Sequence, residues 1–72
     1  MAGGRQYDYL VDGLTDERAQ IMRRSLSIVP EIRALEIDVG RSTVEATATR
    51  DVEPQVRLAC KVAGTIYRTR AR

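Results

Sequence analysis

The side chains able to do chemistry in this 72-residue chain are few. Cys60 is its single cysteine, and histidine is absent. A lone thiol cannot close an internal disulfide and suits a reducing compartment. Without histidine the chain lacks the usual general base at neutral pH and the commonest metal ligand. Asp16 and Glu17 are adjacent carboxylates, the residue types of general acid–base work or of a hard-metal site. No nucleophile or histidine completes either arrangement. Their place just after Gly13-Leu14-Thr15 suits a simpler role at the positive end of a helix. Cys60 has two readings of its own: a lone metal ligand completed by a partner, or a small buried apolar residue, the usual state of a free cysteine. Its spacing from Val56 and Ala63 puts it on an apolar helical stripe and favours the core.

Two further groups bear on nucleic acid. Tyr7 and Tyr9 have the ring type that stacks on bases, but the strand around Val44-Glu45-Ala46-Thr47 carries no aromatic partner, as RNA-recognition sheets require. Both rings are therefore expected under a helix. Arg68, Arg70 and Arg72, with Arg5 beside them in the sheet, would form a basic edge for phosphate or an acidic partner; the competing reading is a solvated tail. A net charge of +2 falls far short of a dedicated nucleic-acid surface. All the basic residues but Lys61 are arginine, which reflects genome composition as readily as chemistry.

These residues need a frame, and the hydrophobic pattern supplies one. Hydrophobic content of 43% with 31% charge is ordinary for a globular domain. One domain over residues 1–72 is expected, its core running from about 6 to 69, with residues 1–4 frayed. No apolar run approaches the roughly 20 residues of a membrane span, and the N-terminus lacks a signal-peptide core. A cytoplasmic protein is the expectation. Tyr7, Tyr9 and Val11 alternate with polar neighbours, a half-buried strand closed by Gly13. Ala19, Met22, Leu26 and Val29 then step by three and four, a helical stripe widened by Ile21 and Ile28 and stopped at Pro30. Leu35, Ile37 and Val39, then Val44, Ala46 and Ala48, alternate on either side of Gly40-Arg41-Ser42 and predict a hairpin. Asp51-Val52-Glu53-Pro54 starts a second helix. Val56, Cys60 and Ala63, with Leu58 and Ala59, face its core, and Gly64 closes it. Thr65 to Thr69 make a last short strand. The order βαββαβ predicts an α+β, ferredoxin-like sandwich: a four-stranded antiparallel sheet with two helices on one face.

With that order in place, the chain resembles the heavy-metal-associated domains of copper chaperones and of metal-pumping P-type ATPases. The likeness spans about residues 7–67. The family's strand-to-helix loop, Gly-Met-Thr-Cys-x-x-Cys, is echoed by Gly13-Leu14-Thr15-Asp16-Glu17-Arg18-Ala19. Its Pro-Gly-Val is echoed by Pro30-Glu31-Ile32, and its Ala-Gly-Tyr by Ala63-Gly64 with Tyr67 displaced. Counting from Gly13 sets Asp16 and Ala19 at the cysteine positions; counting back from Pro30, the interval is one residue short. Either way no thiolate is supplied, and soft Cu(I) is poorly served by one carboxylate. The resemblance thus implies a degenerate, non-enzymatic domain with no cofactor and no metal ion, Asp16 and Cys60 being the residual metal candidates. It implies a protein partner or a homo-oligomer, engaged through Leu14, Thr15, Asp16, Glu17, Arg18, Arg23 and Arg24, in a role regulatory to a metal transporter or another enzyme. The alternatives are an atypical metal-trafficking site and a nucleic-acid module using the C-terminal arginines; neither membrane nor nucleic acid is the expected partner.

Overall fold

A computed structural model describes residues 4–71. The elements are β1 (Arg5–Asp12), α1 (Asp16–Ser27), β2 (Ile32–Asp38), β3 (Thr43–Ala48), α2 (Glu53–Ala63) and β4 (Ile66–Arg70). The strands form one antiparallel sheet in the order β2-β3-β1-β4. Both helices pack on one face, as the βαββαβ order predicts. No helix among the described residues is long and apolar enough to cross a membrane.

Period two puts Tyr9, Val11, Val44, Ala46 and Ala48 on the covered face of the central strands, and all are fully buried. Met22 and Leu26 of α1 close over them, with Val56, Ala59, Cys60 and Ala63 of α2. The small alanines of β3 let the helices approach closely. Tyr7 is half-buried against the same core and Tyr9 is fully enclosed, so both tyrosines lie on the helix-covered face.

The helical stripes are narrower than the apolar sequence suggests. Ile28 is 81% exposed, Leu58 63% and Ile21 37%. At 3.6 residues per turn Ile21 lies about 200° around α1 from buried Ala19, so the helix turns it away from the sheet whatever its hydrophobicity. Helix α1 also ends before Pro30: its last residue is Ser27, with Ile28 as C-cap and the Val29 N–H donating to the Leu26 carbonyl at 3.1 Å. Val39 belongs to the β2–β3 turn, which Ser42 closes at a positive φ of 57°. Strand β4 runs on through Arg70, and Leu10/Val11 marks a bulge where it pairs with β1.

Candidate functional site

The segment between β1 and α1 is built almost wholly from local bonds. Gly13 turns the chain at φ +79°, a conformation costly for any side chain. Leu14 drops back onto the core. Thr15, extended at φ −127°, caps α1 by accepting the Arg18 N–H at 3.1 Å, and its carbonyl takes the first helical bond, from Ala19, at 2.8 Å. Asp16 and Glu17 follow in the first turn, both exposed, where the helix end favours negative charge.

Arg18 is the residue whose role the sequence did not disclose. Its guanidinium donates to the Gly13 carbonyl at 3.0 Å, and its Nε lies 3.9 Å from where a Cβ on Gly64 would sit. The side chain thus folds back over the loop and reaches the end of α2. It bonds the first chain reversal and lies beside the second.

The proposed docking set spans more than one face of α1. Leu14 to Arg18 share the end of the domain. Arg23 follows Arg18 by five residues, which turns it about 140° around α1. Arg24 lies about 120° from Arg18 in the opposite sense, on the outer face, away from Ala19, Met22 and Leu26.

In the register counted from Gly13, the two candidate ligand positions hold an exposed carboxylate at Asp16 and, at Ala19, a methyl group only 8% exposed and facing the core. Cys60 is 2% exposed beneath α2, its backbone carbonyl serving the helix C-cap through the Gly64 N–H. Burial pushes its thiol pKa up, against a weaker opposing hydrogen bond from Thr65. Among the described residues no three cysteine or carboxylate side chains converge where they could hold a metal ion.

The basic edge divides. Arg68 is ion-paired with Asp12, and Arg70 with Asp51. Arg72 lies outside the described residues. Arg5 is not beside them: β4 pairs Arg70 with Tyr9, whereas Arg5 pairs with Ala48 of β3, roughly 13 Å farther along β1 at strand rise. The antiparallel register sets these arginines apart.

A second polar centre joins the start of α2 to the sheet. Tyr9 donates its hydroxyl to Asp51 at 2.8 Å and accepts the Val52 N–H at 3.2 Å. Asp51 also accepts the Glu53 N–H at 3.0 Å, so it caps the helix from one residue outside the cap position. Tyr67 donates to Glu53, and the Arg57 guanidinium stands 4.9 Å over the Tyr67 ring. Burial first, then the neighbouring Glu53 carboxylate, pushes Tyr67 up to about 12. This is a structural network whose members hold one another, with Arg57 and Tyr67 also lining a cavity of about 520 Å³ beside α2.

No protein-family model matches the chain, and neither does any curated protein. Solved structures do. The N-terminal domain of ZntA in its apo form superimposes with a TM-score of 0.81 at 19% identity, over 92% of each chain. Its Zn(II) form gives 0.78, again at 19% identity and 92% of each chain. A structure described by crosstalk between Cu(I) and Zn(II) homeostasis gives 0.73 at 14% identity, over 90% of this chain and 97% of the other. At such identities the likeness establishes the fold.

Proposed function

We propose that this chain is a non-enzymatic protein-interaction module, one domain with the heavy-metal-associated architecture whose strand-to-helix loop is degenerate and holds no metal. The observation that carries the reading is the loop itself. Where the resemblance calls for two thiolates, the chain has a first-turn carboxylate at Asp16 and a core-facing methyl at Ala19. Its other polar groups are engaged in closing the turn: Thr15 caps α1 and Arg18 binds the Gly13 carbonyl. The one thiol, Cys60, is buried and its thiolate disfavoured. Metals of thiolate sites need deprotonated, accessible sulfur. The ZntA domain, which has a Zn(II) form, thus supplies a scaffold for comparison and not a ligand set.

What the loop keeps is a shaped end: Leu14 packed against the core, Thr15, Asp16 and Glu17 exposed at a helix start, and Arg18 bonded back to Gly13. A surface of this kind suits contact with another cytoplasmic protein, in a role regulatory to a metal transporter or other enzyme. The test is competition for Cu(I) and for Zn(II) against a chelator in reducing buffer, on wild type and Cys60→Ser. Neither protein should bind more tightly than about micromolar. Tight binding lost on Cys60→Ser would overturn the reading.

A further inference from the structure

The helical layer leaves an apolar groove open to solvent. It is about 410 Å³ in volume, with Ser25 and Ala59 among its lining residues and Ile28, Leu58 and Val62 beside them. Ile28 is 81% exposed, Leu58 and Val62 each 63%. Ile21, one turn before Ser25, extends the α1 wall. A protein of this size has little hydrophobic surface to spare, and four aliphatic side chains exposed on one layer mark a contact face.

Charge narrows the occupant. On α1, Arg24 lies between Ile21 and Ile28 along the same outer line, three residues after one and four before the other. On α2, Lys61 follows Leu58 by three and lies outside the groove, lining the neighbouring cavity with Arg57 and Tyr67 on the far side of Leu58. Among the described residues neither cation enters an ion pair. The carboxylate lining the groove, Glu31, is taken by Arg50 at 3.1 Å. Glu17, a turn before Ile21, is the carboxylate left on that outer face. Each apolar wall is therefore bordered on its outer side by a cation outside the ion pairs above. A second copy laid on this face would add two more cations to a seam whose lining carboxylate, Glu31, is already paired, which like-charge repulsion opposes. A segment with carboxylates flanking its apolar side answers both walls.

The geometry points to this groove as the docking site for an amphipathic helix of a partner protein, with aliphatic anchors one turn apart seated between α1 and α2 and Asp or Glu side chains meeting Arg24 and Lys61. This rests on the interaction-module reading above and assigns it a surface distinct from the loop.

The test uses the full chain, labelled with ¹⁵N, and two synthetic amphipathic helical peptides with one leucine face, flanked by glutamate in one and by lysine in the other. The glutamate peptide should shift the amides of Ile28, Leu58 and Val62 saturably and bind at least about tenfold more tightly than the lysine peptide. Arg24→Glu with Lys61→Glu should reverse that preference, and Leu58→Asp, at an exposed position, should abolish binding while the rest of the spectrum stays folded. Equal binding of both peptides, no binding, or shifts confined to residues 13–18 would overturn the groove assignment. So would a wild-type dimer in sedimentation that Leu58→Asp makes monomeric, since the occupant is then a second copy. The metal competition above reports on the parent reading separately: tight metal binding would sink that reading whatever the peptides do.

Discussion

Replacing Tyr9 by Phe isolates the bond network that fixes α2 to the sheet. The ring is fully buried and the change removes one oxygen without altering its shape. Two bonds go: the donation to Asp51 at 2.8 Å and the acceptance of the Val52 N–H at 3.2 Å. Asp51 keeps Arg70 and the Glu53 N–H and is partly exposed, so its loss lies at the low end for a charged acceptor. Val52 is fully buried, and water cannot reach its orphaned N–H. An unsatisfied buried donor costs about 1–3 kcal/mol, and the two losses together should come to about 2 kcal/mol. That is a large part of the roughly 3–5 kcal/mol that one small core provides. The melting temperature should fall by about 8–16 °C. Urea unfolding followed by far-UV circular dichroism gives the midpoint, with an unchanged m value showing that stability alone has moved. Tyr7→Phe is the control, because that half-buried ring is also on the covered face but its hydroxyl has no role in the network; it should stay within about 0.5 kcal/mol of wild type. If Tyr9→Phe costs no more than Tyr7→Phe, the network is not what anchors α2.

The loop and cap make further predictions. Thr15→Ala should cost about 1 kcal/mol in urea unfolding by removing the acceptor for the Arg18 N–H, and no loss would mean that water caps α1 equally well. Gly64→Ala should cost about 1–2 kcal/mol, since the C-cap sits at φ +80° and ψ +19°; a neutral result would show that the turn relaxes. Tyr67, raised to about 12 by burial and then by Glu53, and Tyr9, raised by burial, keep their protons longer in the folded chain than in the unfolded one. Above pH 10 the unfolded state therefore sheds protons first, so stability should be unaffected by these groups below pH 10 and fall as pH rises toward 12. Urea midpoints across that range, with absorbance at the phenolate band, measure it; a flat or rising midpoint would contradict the burial account.

The repeating elements were legible because their signals are local. Thr15, Gly13, Pro54 and Gly64 act within a few residues of themselves, and the alternation of Tyr7, Tyr9 and Val11 fixes a strand face without reference to its neighbours. What failed was the step from apolar to buried. Ile21, Ile28 and Leu58 are as hydrophobic as the core, but helical phase turns them outward, and width of the stripe depends on how much sheet lies beneath. Long-range partners were also invisible. Arg18 meets the end of α2, and Asp51 is chosen by Tyr9, forty-two residues away. The misplaced Arg5 is the clearest case, since strand order and antiparallel register, not composition, decide which arginines are neighbours.

The most direct measurement sets wild type against Asp16→Cys/Ala19→Cys in the same Cu(I) competition. Gly13, Leu14 and the Thr15 cap are in place, while the interval to Pro30 is one residue short and position 19 faces the core, so the two cysteines test the register counted from Gly13. The double variant should hold Cu(I) against a chelator that strips the wild type at about micromolar free metal. Wild type that itself holds Cu(I) against that chelator would mean that this chain carries a metal site of its own, and the interaction-module reading would fall.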